Sequence, residues 1–174
     1  MKLRIVGSYA PRYRRGHAFH FVPPVTGIHL AAITPAEHEV EVIHEQVREV
    51  PVDETPDLVA LSFFPGFARN ACSIADRHRA LGAPVVAGGP HVSYRVDEAL
   101  QHVDAVVIGE AESVWSEVLR DFERGTPKPI TGNPPKEASI VGEARIAPPD
   151  PAAPLERLAR LRGVGAGKRR VIRP

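Results

Sequence analysis

Pro84-Val85-Val86-Ala87-Gly88-Gly89-Pro90-His91-Val92 decides the fold class of this chain. A short apolar run rich in β-branched residues ends in two glycines, a proline and a histidine. Such a run is the pattern of a parallel strand buried on both faces, followed by a loop delivered to one rim of the sheet. Two adjacent glycines remove side chains where a bulky group approaches the backbone. Pro90 fixes the next φ, and the turn offers exposed amides. His91 adds a polar group there; taken alone it reads as a surface histidine.

Two similar junctions flank this one. Asp57–Phe64 carries Leu58, Val59, Ala60 and Leu61 in sequence and ends in Ser62-Phe63-Phe64-Pro65-Gly66-Phe67. Ala105–Ile108 ends in Gly109-Glu110-Ala111-Glu112. The Ser62 hydroxyl suits a ligand oxygen or nitrogen, and Phe63, Phe64 and Gly66 suit a broad, flat, apolar partner. From that segment alone, a turn-capping serine with both rings in the core is the simpler reading. Glu110 suits ligand hydroxyls or amides, whereas Glu112 reads better as a charge complementing a helix N-terminus.

Working outward, strands alternate with helices. Leu3–Gly7 is the first strand, and Ser8–Pro24 a long loop with basic residues and two histidines. Thr26–Ile33 reads as a helix, with Val25, Ile28, His29 and Ala32 near one face. Glu39–His44 alternates apolar and polar as an edge strand does. Phe67–Leu81 reads as a helix with Ala71, Ile74, Ala75 and Leu81 inward and Arg69, Asp76, Arg77 and Arg79 outward, stopped by Gly82. Tyr94–His102 is a short helix. Glu112–Arg124 presents Val114, Trp115, Val118, Leu119 and Phe122 inward. This alternation predicts right-handed crossovers and a doubly wound, five-stranded parallel sheet of flavodoxin-like (Rossmann-like) order. Ligands on such sheets bind outside the carboxyl ends of the strands, where the three junctions fall side by side.

Proline marks the expected edge of the folded part. Nine of the 18 prolines lie in the last 48 residues, from Pro127 on. Residues 1–126 are therefore expected as the domain and 127–174 as a Pro-rich linker and basic tail, with a short helix over Leu155–Leu161. From Leu155 on there are seven basic residues and one acidic residue, which leaves −5 on the remainder of a chain of net charge +1. A mildly acidic globular part argues against a nucleic-acid surface. No apolar run nears the roughly 20 residues of a membrane span, and the apolar part of the start is too short for a signal peptide. The cytoplasm is the expected compartment.

Several chemistries are excluded by missing parts. Gly7-Ser8-Tyr9-Ala10 is not the G-x-G-x-x-G of a dinucleotide fold. Gly7 and Ser62 stand where a phosphate-accepting receiver needs carboxylates. Gly163-Val164-Gly165-Ala166-Gly167-Lys168-Arg169 lacks the spacing and Ser/Thr of a phosphate loop. No serine or cysteine nucleophile sits beside a base. The single cysteine, Cys72, rules out an internal disulfide framework and any cluster needing several thiolates from this chain.

Five stretches, in order, resemble the cobalamin-binding domain at the front of cobalamin-dependent radical S-adenosylmethionine (radical SAM) enzymes. They are Phe21–Ala32, Glu37–Ile43, Pro56–Ser62, Val85–Val92 and Asp104–Glu112, and the similarity runs from about Met1 to Gly125. The resemblance implies a corrinoid cofactor, with Ser62, Phe63, Phe64, Gly66, Gly88, Gly89, Pro90, His91, Gly109 and Glu110 around its nucleotide tail and lower ring face. The three-cysteine motif of the family's catalytic half is absent, so no iron–sulfur cluster is expected here. The chain is then not catalytic alone, and a radical SAM or methyltransferase protein is its expected partner. Other cobalamin proteins supply a cobalt ligand from a D-x-H-x-x-G loop. Here that loop reads Arg15-Gly16-His17-Ala18-Phe19-His20, without the Asp or the Gly. His17 is the candidate metal ligand, but a metal-bound imidazole usually has an orienting carboxylate, so a basic loop near the corrin side chains or solvent is the favoured reading. Two alternatives remain at this point: a cofactor-free interaction or regulatory module that kept the fold, and a binder of another flat cofactor such as flavin.

Overall fold

The apolar runs at Leu3–Val6, Leu58–Leu61, Val85–Ala87 and Ala105–Ile108 form the middle of one parallel sheet, and nearly every side chain in them is buried. The structure, a computed structural model, describes residues 1–10, 23–52 and 54–132. The Ser8–Pro24 loop beyond Ala10, with His17 and His20, lies outside the described residues as far as Val22, as do most of the Pro-rich tail and the expected helix at Leu155–Leu161.

The strands are β1 (Lys2–Gly7), β2 (Glu39–His44), β3 (Leu58–Ser62), β4 (Val85–Gly88), β5 (Ala105–Ile108) and β6 (Ile130–Gly132). Their spatial order is β2-β1-β3-β4-β5-β6, and every pairing is parallel. This is the flavodoxin-like order with one strand more than the five expected. β6 lies past Thr126, so the sheet continues beyond the expected edge of the folded part. The prolines that suggested an edge are compatible with this: Pro129 precedes the strand, and its carbonyl accepts from the Val106 amide at 2.9 Å.

The helices are α1 (Val25–Ile33), α2 (Ala68–Ala80), α3 (Pro90–Tyr94), α4 (Val96–Ala99) and α5 (Trp115–Glu123). One core cluster joins α2, α3 and α4 to odd-numbered positions of β3 and β4, Val59, Leu61, Val85 and Ala87, and to Val6, Val106 and Ile108 on β1 and β5. The other joins α1 and α5 to even positions such as Leu58, Ala60 and Val86 on β3 and β4, and to Leu3, Ile5, Ala105 and Val107 on β1 and β5. Alternation along each strand thus gives each face its own core.

α1 packs on a different stripe from the one expected. Val25 and Ile28 are 66% and 56% exposed, and His29 and Ala32 also face outward. Gly27 and Leu30 face the sheet instead. A Cβ on Gly27 would stand 2.9 Å from a Val42 methyl, so the missing side chain lets the helix approach the strands closely. In α2, Ala71, Ile74 and Ala75 point inward as expected, but Leu81 follows the helix and is half exposed. α2 begins at Ala68 after a 3₁₀ turn over Pro65–Phe67. The single helix expected over Tyr94–His102 is two short ones broken at Arg95, and α5 starts at Trp115 rather than Glu112.

Candidate functional site

Strand register sets the site. Gly7 lies opposite Ser62, and Ser62 opposite Gly88, across β1, β3 and β4. All three continue the even-parity side of β3 and β4 and the matching side of β1, the side that faces α1 and α5. A row of very small residues therefore crosses the carboxyl end of the sheet on that face. Below it lie Ile5, Ala60, Val86 and Val107. The result is a groove of about 270 Å³ walled by Thr26 and Leu30 of α1, Trp115 of α5 and the segment Gly109–Glu112.

Most of the residues nominated from sequence meet there. Ser62, Phe64, Gly88, Gly89, Pro90, Gly109 and Glu110 all line the groove. The Ser62 hydroxyl makes no hydrogen bond among the described residues, and the 3₁₀ turn that follows has no side-chain cap. It is an open donor at the lip rather than a turn cap. Phe64 is 54% exposed and also borders a second groove of about 220 Å³, which Tyr9, Pro23, Pro24 and His44 help line. Its ring stands between the two hollows.

Phe63, His91 and Gly66 do not line either groove. Phe63 has the opposite parity to Ser62 and is 3% exposed within the core under α2. His91 is buried beside it, ring centroids 5.4 Å apart, with Nε2 3.6 Å from a Glu98 carboxylate oxygen. Gly66 sits in an exposed turn with nothing near its missing side chain.

The two glycines of the opening motif have different causes. Gly89 has φ +97°, and a Cβ there would lie 3.1 Å from both the Phe63 carbonyl oxygen and the Ser62 hydroxyl. The close approach of the neighbouring strand end is enough to require a glycine there. Gly89 precedes α3, with Pro90 at the first helical position where a missing N–H costs nothing. Gly88 is the reverse case. A Cβ there would make only ordinary contacts, 3.6 Å and 3.8 Å from Val107. Among the described residues nothing forbids a side chain at 88, and the groove is the space it would occupy.

Sequence reasoning missed three supporting groups. The Ser93 hydroxyl donates to the Gly89 carbonyl at 3.2 Å and accepts from the Gly109 amide at 3.1 Å, tying two lips of the groove together. The Trp115 indole N–H donates to Thr34 Oγ1 at 2.9 Å, and that hydroxyl donates to the Leu30 carbonyl at 2.6 Å. The buried Glu45 carboxylate accepts from Ser8 Oγ at 2.8 Å, the Tyr9 amide at 2.9 Å and Asn70 Nδ2 at 2.5 Å, anchoring the exit from β1. Only Ser93 had a local signal, a serine in the first turn after a glycine, which commonly bonds back to the chain. Glu112 is not in the first turn of α5; it faces His29 of α1, 3.5 Å away. Among the described residues no group of three His, Cys, Asp or Glu is placed to hold a metal ion, and no helix is long and apolar enough to cross a membrane.

A doubly wound parallel sheet with a largely apolar groove at its carboxyl rim defines a ligand-carrying α/β domain. The chain belongs to the B12 binding domain family, whose model matches residues 27–119. Its cofactor is a corrinoid. It is similar to two proteins of Chlorobaculum tepidum. Bacteriochlorophyllide d C-8(2)-methyltransferase is 36% identical over 53% of this chain and 21% of that protein. Bacteriochlorophyllide d C-12(1)-methyltransferase is 33% identical over 73% of this chain and 27% of that protein. The matched part thus spans about a quarter of the length of these relatives. The N-terminal domain of a hypothetical protein of Thermotoga maritima, a solved structure, is 26% identical with a TM-score of 0.40, over 50% of this chain and 75% of that one.

Proposed function

We propose that this chain is the corrinoid-holding part of a methyl-transferring system, with the cofactor's nucleotide tail in the groove and its ring outside, over the rim. The observation that carries this reading is the room at Gly88. Packing among the described residues leaves that position open, and the gap continues a row of small residues above an apolar floor. Size supports the same arrangement. Pockets that enclose drug-sized ligands run about 300–1,000 Å³, so a hollow of about 270 Å³ takes a part of a corrinoid and not the whole.

In this reading Ser62 and Glu110 meet polar atoms of the tail at the lip, and Phe64 covers apolar surface where the tail leaves the groove. Ser93 keeps the Gly89 and Gly109 turns at a fixed separation. A bound corrinoid supplies alkyl-transfer chemistry at cobalt; the chain holds and orients the cofactor. The partner is a methyltransferase of the radical SAM class, on another polypeptide or another part of the same one. The names of the two relatives support a methyltransferase, and the radical SAM class rests on the resemblance of the five stretches of sequence. His17 remains the candidate cobalt ligand, and His17→Ala is expected to change the cobalt spectrum if it is one.

The deciding experiment is direct. The chain is incubated with hydroxocobalamin, desalted, and its visible spectrum recorded. Corrin bands retained at about one equivalent uphold the reading. Their loss, with a native far-UV spectrum, refutes it and leaves a module that kept the fold without the cofactor.

A further inference from the structure

A buried carboxylate stands at the far end of the rim, where β1 leaves the sheet. Resting on the seating of the cofactor just proposed, we infer that Glu45, together with Asn70, is a positioning residue for the corrinoid: it holds the Tyr9 segment as a fixed wall beneath the ring side of the cofactor.

The place follows from what the two hollows share. Ile5, Thr26, Ser62 and Phe64 line both. The first hollow is walled on the α5 side by Trp115 and Gly109–Glu112, so a cofactor whose tail fills it runs out past Phe64 and over the second. Tyr9 and His44 belong to the second hollow alone. The Tyr9 ring packs against those of His44 and Phe67, with centroids 4.8 Å and 4.6 Å away.

Hydrogen bonds fix that wall. β1 ends at Gly7, and a chain that has left its strand ordinarily turns its backbone groups to water. Tyr9 does not. Its amide donates to Glu45 Oε2 at 2.9 Å, and its carbonyl accepts from Asn70 Nδ2 at 2.8 Å. The Ser8 hydroxyl donates to the same Glu45 oxygen at 2.8 Å, and Asn70 Nδ2 reaches that oxygen at 2.5 Å and Ser8 Oγ at 3.1 Å. The Ser8 amide donates to the Ser62 carbonyl at 3.0 Å. The exit of β1, the residue after β2 and the first turn of α2 thus meet on one carboxylate oxygen, and the Ser62 lip is tied to the same segment. Glu45 is 2% exposed. Burying a carboxylate is costly, and well-packed apolar groups in such a place are often no less stable. What the carboxylate adds is direction. It accepts and does not donate, so the Ser8 hydroxyl, the Tyr9 amide and the Asn70 amide can face it in one arrangement only. That arrangement sets where the Tyr9 wall stands relative to Ser62.

The test uses the full chain and hydroxocobalamin, titrated spectrally, with affinity referred to the folded fraction from a far-UV melt. Glu45→Ala removes the shared acceptor and is expected to weaken binding by about tenfold or more. In the cofactor that still binds at saturation, the visible cobalt bands should move from their wild-type positions. Glu45→Gln keeps one oxygen to face the same donors and is expected to bring affinity back to within about threefold of wild type, with wild-type bands. A purely structural role would lower the melt and leave the affinity and bands of folded protein unchanged. Folded Glu45→Ala with wild-type affinity and bands, or Glu45→Gln no better than Glu45→Ala, overturns the inference while leaving corrinoid binding in place. No binding by natively folded wild-type chain overturns the reading beneath it.

Asn70→Ala carries the test if Glu45→Ala does not fold. It releases the Tyr9 carbonyl but leaves Glu45 its bonds to Ser8 and Tyr9. It is expected to weaken binding by about threefold or more with a native far-UV spectrum; wild-type affinity in folded Asn70→Ala overturns the inference.

Discussion

The two faces of the sheet end differently at the same rim. On the α2–α3 face, Phe63 and His91 follow the strands and close the core with large rings. On the α1–α5 face, the equivalent layer is Gly7, Ser62 and Gly88, and a groove remains. The residues alternate within single strands, so one segment such as Leu61-Ser62-Phe63 serves both ends: one residue opens a site, and its neighbours seal the other face. With the cofactor tail in the groove as proposed, stability and binding fall to opposite parities of the same strands, and a substitution should affect one or the other according to parity.

The comparison breaks if mutations on the closed face behave like those on the open one. Phe63→Ala should show the largest effect, a loss of about 3–5 kcal/mol in a denaturant melt from the cavity it leaves. Its cofactor retention should follow the folded fraction; selective loss of binding in folded protein would place Phe63 in the site after all. Gly88→Val fills the groove and should weaken hydroxocobalamin retention about 100-fold while changing stability by less than about 1 kcal/mol. Retention at wild-type strength would mean that the tail does not pass there. Gly89→Ala is the opposite case, since φ +97° and the contact with Phe63 penalise any side chain. It should cost about 1–3 kcal/mol of stability, read from the melt.

Two smaller effects sharpen the contrast. Ser62→Ala removes the hydroxyl proposed to meet the cofactor at the open face and should weaken binding about 3- to 10-fold, from a net bond of about 0.5–1.5 kcal/mol, with an unchanged melt. On the closed face, burial holds the His78 imidazole below its ordinary pKa, and its Nδ1 meets the Ile74 carbonyl at 2.9 Å. The folded form stays neutral where the unfolded chain takes up a proton. Its contribution is therefore complete above about pH 6.5 and is lost as pH falls from there through the lowered folded value. Urea melts at pH 7.5 and pH 5 should show that decline, and His78→Gln should flatten it. A slope unchanged by the substitution would clear His78 of the effect.

Much of the groove was legible in the chain because strand ends carry their own signals. Apolar runs closed by Ser62, Gly88 and Gly109 mark where the chain leaves the sheet, and rim positions adjacent in space follow from the alternation of strands and helices. What was hidden is facing. Strands buried on both sides read as unbroken apolar runs, so Leu58–Leu61 carries no mark of which residues look toward α1. Phe63 and Phe64 therefore looked equivalent, although one is in the core and the other on the surface. The stripe expected on α1 failed for a related reason: hydrophobicity alone favoured Val25 and Ile28, while the contact was made by the residue with no side chain, Gly27.

By itself the sequence determined the α/β class, the five central and edge strands β1–β5, and the small residues that end the middle ones, because periodicity and turn chemistry are local properties. Only the tertiary structure decided that Ser62 and Gly88 share a face, that Gly89 packs against Phe63, and that β6 extends the sheet. Each of these depends on register between segments far apart in the chain, and register is set by packing across strands, which no local pattern encodes.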